Sequence, residues 1–221
     1  MAVADATPHL DAGLLLLADI SGYTAFLDTV ATAHPEMVLP VGPVPPAYQV
    51  MSSLLDIVVE RIAPLFTLSE IEGDAVFAYA LDQPLRLQGE GGVVGTIRSS
   101  YGAFRERIDE AMVVHKHDCQ ACVILPSLEL KFILHHGNFV IQSIAGRARL
   151  LGPAVNLAHR LLKNSVTEAT GRRAYVLVTE AAAAWLDLGP ETGPPHVERY
   201  PDAGTVTGRV IELERSQGDA R

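Results

Sequence analysis

The sequence has few cysteines, a deficit of basic residues and no long apolar run. Two cysteines cannot form the disulfide framework of a small secreted domain. Acidic residues outnumber basic ones by 26 to 17, whereas a protein that binds a phosphate backbone usually presents a basic face. The longest aliphatic run, Leu14–Leu17, is too short to cross a bilayer, and the amino terminus lacks the basic start of a signal peptide. We therefore expect a cytoplasmic protein that has neither a nucleic acid nor a membrane as its main partner.

The residues that are present fit one globular domain. Hydrophobic residues make up 48% of the chain and charged residues 19%, a balance that argues against global disorder. No linker divides the chain, so we predict a single domain over residues 12–215, with flexible tails at 1–11 and 216–221. Three stretches rich in proline or glycine are predicted to be surface loops: 34–46, 88–95 and 189–195.

The pattern of apolar residues predicts an α+β fold. Continuous apolar runs predict strands, and apolar residues at helical spacing predict helices between them. The predicted order is β-α-α-β-β-α-β-β-α-β-α-β-β, which implies a mixed or antiparallel sheet covered by helices. Gly73-Asp74 is expected to turn one hairpin. Gly137 is expected to turn another, between strands at 128–136 and 138–144.

Two aspartates are predicted to lie at strand ends. Asp19 ends the apolar strand at 13–20, and Asp74 lies at the tip of a hairpin. Both could be structural, since Asp19 could cap the helix that follows and Asp74 could stabilise its turn. Two carboxylates at neighbouring strand tips would instead offer Mg²⁺ or Mn²⁺ the oxygen ligands that hard cations take, together with the phosphates of a substrate.

Two further segments could contact a nucleotide. The turn Ser21-Gly22 precedes a predicted helix and presents backbone N–H groups suited to an anion such as a triphosphate. In the helix predicted at 153–164, Asn156 and Arg160 are four residues apart and project from the same face. A solvated polar helix face would show the same spacing, so the spacing alone assigns no function.

Taken in order, four motifs resemble those of the class III nucleotidyl cyclases, the family of adenylyl and guanylyl cyclase catalytic domains. The motifs are Asp19-Ile-Ser-Gly-Tyr-Thr24, Glu72-Gly-Asp-Ala75, His136-Gly137 and Gly152-Pro-Ala-Val-Asn-Leu-Ala-His-Arg-Leu161. The resemblance spans about residues 13–180 and is closest to a divergent bacterial branch of that superfamily. It implies a ferredoxin-like βαββαβ core with an extra carboxy-terminal βαββ, and a head-to-tail homodimer with the site at its interface.

The resemblance also implies a role for each motif. Asp19 and Asp74 would bind two Mg²⁺ or Mn²⁺ ions, with a further contact from the Ile20 carbonyl. Four residues of the first motif would hold the phosphates: Ser21, Gly22, Tyr23 and Thr24. From the other subunit, Asn156 would position the ribose and Arg160 would stabilise charge on the transferring phosphorus. The implied reaction converts a purine nucleoside triphosphate into a 3′,5′-cyclic nucleotide and pyrophosphate by a two-metal mechanism.

The two positions that would read the base depart from the adenylyl pattern. Adenylyl members have a lysine three residues before the glycine of the Gly-Asp turn and an aspartate seven residues before the asparagine, where this chain has Glu70 and Arg149. Guanylyl members use glutamate at the first position, because a carboxylate accepts from guanine N1–H and N2–H₂, but their second residue is usually small. Glu70 and Arg149 could pair with each other in the base pocket, or Arg149 could read another edge of the base.

A cluster of potential zinc ligands lies outside these motifs. His115, His117, Cys119 and Cys122 are close in sequence, and Cys-x-x-Cys is a chelating spacing. The cluster predicts either a structural zinc site or a loop with two reduced thiols.

Three functions are consistent with these observations. The first is an active nucleotidyl cyclase, for which Asp19, Asp74, Asn156 and Arg160 are all present. The second is a catalytically weak or inactive cyclase-fold module that binds nucleotides or regulates a partner, as the reversed base-reading charges suggest. The third is a different two-metal enzyme that acts on nucleotides or polyphosphates.

Overall fold

The computed structural model describes residues 9–33, 46–82, 92–114 and 120–213, which form one eight-stranded mixed sheet and the helices on it. The strands are β1 His9–Ser21, β2 Thr67–Glu72, β3 Ala75–Leu81, β4 Glu129–Ile144, β5 Arg147–Leu151, β6 Tyr175–Thr179, β7 Pro195–Tyr200 and β8 Gly204–Glu212. The helices are α1 Tyr23–Ala33, α2 Pro46–Ile62, α3 Gly92–Val114, α4 Gln120–Ile124, α5 Pro153–Leu161, α6 Val166–Thr170 and α7 Glu180–Trp185. The predicted α+β class is therefore confirmed.

The first four long strands form a ferredoxin-like core. They lie in the order β2-β3-β1-β4, and β1 is antiparallel to both of its neighbours. Beyond them the sheet continues with β6, β8 and β7, and β6 runs parallel to β4. The additional segment β6-α7-β7-β8 corresponds to the carboxy-terminal βαββ that the sequence predicts.

The apolar run in β1 is buried on both faces of the sheet. Leu14 and Leu16 pack in a cluster with residues of α1, α2, α3 and α7. Leu15 and Leu17 pack in a second cluster with residues of α5 and α6. Because side chains alternate along a strand, Asp19 lies on the same face as Leu15 and Leu17 and therefore on the side of the sheet that α5 covers.

The prediction of a turn at Gly137 is wrong. β4 runs through this glycine, and the hairpin turns later, at Ala145 and Gly146, into a strand that the sequence analysis does not predict. A Cβ atom at Gly137 would lie 2.7 Å from the Cβ of Ala154 in α5. The glycine therefore allows the helix to approach the sheet closely, which is a tertiary requirement and not a turn signal.

The amino-terminal strand also starts earlier than predicted. Residues His9–Asp11, which the sequence analysis assigns to a tail, belong to β1 and pair with Phe139–Ile141 of β4. A long β4 thus provides a partner for a segment that has no apolar pattern of its own. Within the part of the chain that the structure describes, no helix has the length and apolar character needed to span a membrane.

Candidate functional site

Asp19 and Asp74 lie at neighbouring strand tips. Asp19 is opposite Ala75 in the β1–β3 pairing, and the Ile20 N–H donates to the Asp74 carbonyl at 3.3 Å. Burial raises the pKa of the Asp74 carboxyl, and the negative charge of Asp19 raises it further. The two carboxylates are thus close enough to repel each other, and a cation between them would relieve that repulsion.

Lys131 is a third charged group at these tips, and no local sequence pattern indicates it. Its Nζ lies 3.0 Å from Asp19 Oδ2 and donates to the Leu162 carbonyl at 3.0 Å. Asp19 and Lys131 are direct cross-strand partners in β1 and β4. The signal that would have identified Lys131 is this register, which joins residues that are far apart in the sequence.

The donor set at the tips suits a hard divalent cation. Asp19 and Asp74 offer carboxylate oxygens, which Mg²⁺ and Mn²⁺ prefer. Among the described residues, no group of three or more His, Cys, Asp or Glu side chains forms a metal cage. Any cation at Asp19 and Asp74 would therefore take its other ligands from backbone carbonyls, water or substrate phosphates, as Mg²⁺ usually does.

The turn between β1 and α1 lies beside the two carboxylates. Gly22 has a φ of 96°, and the Phe26 N–H donates to its carbonyl at 3.0 Å at the start of α1. Burial raises the pKa of the Tyr23 hydroxyl, and the negative charge of Asp74 raises it further. Arg173 Nη2 approaches the Ser21 carbonyl at 3.5 Å and adds a cation near the turn that the sequence analysis does not predict. The segment therefore combines the first turn of a helix, whose N–H groups have no partner within the helix, with nearby positive charge. Thr24 in this turn is exposed.

Asn156 and Arg160 lie together on α5. They line a cleft of about 440 Å³, together with Pro153, Ala154, Leu157, His135, Asp202 and Ala203. The Arg160 guanidinium contacts Asp202 Oδ2 at 3.3 Å, and both side chains are exposed. The structure thus joins Asp19 with Asp74 and Asn156 with Arg160, while the cleft lining includes neither aspartate.

The floor of this cleft carries a buried histidine. His135 Nδ1 lies within hydrogen-bond distance of Thr179 Oγ1, at 3.0 Å, and the Ala182 N–H at the start of α7 donates to the same oxygen. Burial lowers the pKa of His135 to about 4, with a further contribution from His136. The imidazole is therefore neutral at physiological pH.

Glu70 and Arg149, the two predicted base-reading residues, form an ion pair with each other. Glu70 Oε2 on β2 contacts Arg149 Nη1 on β5. Nearby, His159 Nδ1 of α5 lies 3.6 Å from Glu72 Oε2, and the His159 ring packs edge-on against Phe77 at 4.8 Å. Of the two alternatives that the sequence leaves open for Arg149, the structure has the pairing with Glu70.

The zinc prediction falls mainly outside the described residues. His115, His117 and Cys119 are not among them, and Cys122 lies in α4. The zinc site therefore stays a prediction.

Comparison with known sequences identifies relatives over most of the chain. Residues 51–170 match the family described as "Protein of unknown function (DUF2652)". The Mycobacterium tuberculosis protein described as uncharacterized protein Rv2561/Rv2562 is 29% identical over 176 residues, which cover 75% of this chain and 74% of that protein.

Comparison with solved structures identifies the fold. The guanylyl cyclase Cya2 is similar with a TM-score of 0.62 at 15% identity, over 96% of this chain and 98% of that one. A bacterial light-regulated adenylyl cyclase is similar with a TM-score of 0.59 at 16% identity, over 97% of this chain and 56% of that one. The chain therefore has the fold of the class III cyclase catalytic domains, while identities this low carry no conclusion about activity.

Proposed function

The chain belongs to the DUF2652 family, and we propose that it is a cytoplasmic nucleotidyl cyclase that converts a purine nucleoside triphosphate into a 3′,5′-cyclic nucleotide and pyrophosphate. The observation that carries the proposal is the position of two carboxylates, Asp19 and Asp74, at neighbouring strand tips beside the turn that starts α1. The cyclase fold is consistent with it, and Asp19, Asp74, Asn156 and Arg160 lie in the segments that resemble cyclase motifs.

In the proposed mechanism each residue group has a separate task. Two Mg²⁺ or Mn²⁺ ions at Asp19 and Asp74 would neutralise the triphosphate and favour ionisation of the ribose 3′-hydroxyl. The Ile20 carbonyl points to the same cation site in this proposal, and backbone N–H groups from Ser21 to Thr24 bind the phosphates. Asn156 holds the ribose, and Arg160 balances the charge that develops on the phosphorus.

The proposal places the complete site between two copies of the chain. In one copy Asn156 and Arg160 line a cleft with Asp202, and this cleft does not include Asp19 or Asp74. A head-to-tail homodimer would bring the α5 residues of one copy to the strand tips of the other. Two equivalent sites would result, each with metal-binding residues from one chain and ribose- and phosphorus-binding residues from its partner.

The ion pair of Glu70 and Arg149 is compatible with either purine. Both adenine and guanine present hydrogen-bond donors and acceptors side by side on the edge used for base pairing. A carboxylate can accept from the donor while a guanidinium donates to the acceptor. The pair must open for this, and its side chains are about one third exposed, so water competes with the ion pair.

The experiment is a product assay with matched variants. The purified chain is incubated with ATP or GTP and Mn²⁺ or Mg²⁺, and the cyclic nucleotide and pyrophosphate are measured by mass spectrometry. Asp19→Ala and Asp74→Ala should each lower product formation by at least about 10³-fold, because each removes a metal ligand. Asp56→Ala, which removes an exposed carboxylate from α2, is the control and should leave the rate unchanged. Nucleotide binding without any cyclic product would refute the cyclase reaction.

A second candidate function has its own supporting observation. The Asp19 carboxylate is already paired with Lys131, and the Glu70 carboxylate is already paired with Arg149. Each of these two carboxylates therefore has a cationic partner within the same chain. These contacts favour a cyclase-fold module that binds a nucleotide weakly or regulates a partner without turnover. The same assay separates the two functions, since such a module would bind the nucleotide and leave it intact.

A further inference from the structure

The Asp19 carboxylate has a cation of the same chain beside it. Lys131 Nζ lies 3.0 Å from Asp19 Oδ2, and both side chains are less than a fifth exposed. Solvent and salt therefore screen this pair only in part. The pairing of β1 with β4 places the two residues opposite each other, so the backbone register keeps the lysine within reach of this carboxylate.

We propose that Lys131 is an internal cation that competes with a divalent metal ion for Asp19 and so weakens metal binding at the strand tips. The inference rests on the proposed function, because that function assigns a metal ion to Asp19 and Asp74. Divalent cations bind carboxylate oxygens at about 2.0–2.6 Å. An ion at Asp19 would therefore lie close to the Lys131 ammonium, and the two positive charges would repel each other. Metal binding is therefore stronger when Lys131 moves away from the carboxylate.

The Leu162 carbonyl gives the displaced ammonium a remaining partner. This oxygen is 3.0 Å from Lys131 Nζ, so the lysine keeps a hydrogen bond when it leaves Asp19. Leu162 directly follows α5, the helix that bears Asn156 and Arg160. Lys131 thus connects the metal-binding end of β1 with the end of the helix that carries the other proposed site residues.

The test measures metal binding without nucleotide and without turnover. Mn²⁺ is titrated into the full chain, and free Mn²⁺ is counted by electron paramagnetic resonance. Lys131→Met keeps much of the side-chain length but removes the charge, and it should bind Mn²⁺ about tenfold more tightly than the unaltered chain. Lys131→Arg retains a cation and should keep the weaker affinity. Lys163→Met, which removes the charge of an exposed lysine, is the matched control and should leave the affinity unchanged.

The outcomes separate this inference from the proposed reaction. A folded Lys131→Met chain that binds Mn²⁺ no more tightly than the unaltered chain overturns the inference, and so does the absence of Mn²⁺ binding in every variant. If Lys131→Met does not fold, Lys131→Gln replaces it, because glutamine can still donate to the Leu162 carbonyl. Lys131→Gln must then bind Mn²⁺ more tightly than the unaltered chain, or the inference is overturned. Tighter Mn²⁺ binding without any cyclic product supports the inference and refutes the cyclase reaction.

Discussion

The charges at the strand tips and the charges in the α5 cleft are held in different ways. Asp19 and Lys131 face each other across paired strands and are mostly buried. Arg160 on a helix and Asp202 in a turn meet at the surface, with exposed fractions of 42% and 78%. An exposed pair of this kind contributes little to folding, because water competes for both partners.

This difference indicates what each region can do when a ligand arrives. The strand tips are built before binding, because backbone pairing fixes the position of Asp19 and its neighbours. Arg160 can leave Asp202 at a small cost in free energy and turn toward a ligand or a second copy of the chain. A preformed pair of carboxylates and an adjustable arginine would suit the proposed site shared between two subunits.

The largest expected effect is on cyclic nucleotide formation in a mixed dimer, in which one chain carries a variant at the strand tips and the other carries a variant in the α5 cleft. Asp74→Asn and Arg160→Ala should each abolish cyclic nucleotide formation in a homodimer, since each alters both sites. The two variants are co-expressed with different tags and purified over both tags, so that only mixed dimers remain. One of the two sites is then intact, and the mixed dimer should show about half of the unaltered activity.

The controls for this experiment determine whether the comparison holds. A mixed dimer of Asp74→Asn with Asp19→Ala places both defects in the same region and should stay inactive. An Asp74→Asn and Arg160→Ala dimer that is equally inactive would mean that both regions act within one chain, which contradicts the shared site.

The positions of Asp19 and Asp74 could be predicted from local sequence, and their partner could not. An apolar run that ends in an aspartate and a Gly-Asp pair between two strand patterns identify both tips from a few residues each. Lys131 lies opposite Asp19 only because β1 and β4 pair in one register over a large sequence separation. No local pattern contains that information, and the same is true of the ion pair that Glu70 makes with Arg149.

Gly137 shows why a local rule can give the wrong structure. A glycine between two apolar segments is typical of a turn, yet β4 continues through this one. This position is a glycine because of the contact with Ala154, whose Cβ leaves no room for another side chain. The position of α5 on the sheet depends on a packing contact that only the folded chain reveals. The same contact therefore sets the location of Asn156 and Arg160.

The next effect in size is the change in the free energy of unfolding as the pH falls, which should differ between the cleft and the strand tips. His135 has a native pKa of about 4 against an ordinary value of 6.5, so the folded state favours the neutral ring. Its contribution is fully present above pH 6.5 and is lost as the pH falls toward 4, by up to about 3 kcal/mol. Urea unfolding from pH 7.5 to 4.5 should therefore show a smaller loss of unfolding free energy in His135→Gln than in the unaltered chain.

At the strand tips, a fall in pH should stabilise the folded chain, which is the opposite of its effect at His135. The pKa of Asp74 is raised by burial and by Asp19, so its ionisation disfavours the folded state, and protonation at low pH removes that cost. Asp74→Asn should raise the melting temperature of the metal-free chain at pH 7.5 and raise it less at pH 4.5. A loss of stability in Asp74→Asn at neutral pH would contradict the assignment of repulsion to these tips.

The smallest expected effect concerns the exposed pair in the cleft. Asp202→Asn removes the partner of Arg160 and should change the free energy of unfolding by no more than about 0.5 kcal/mol, since both side chains are already largely in water. Urea unfolding measures this change, with Asp56→Asn on α2 as the control for loss of one exposed carboxylate. Cyclic nucleotide formation should be retained, because Arg160 must leave Asp202 to reach the phosphorus. A loss above about 1 kcal/mol, or a loss of activity in the folded variant, would mean that the cleft is as fixed as the strand tips and that Asp202 holds Arg160 in its working position.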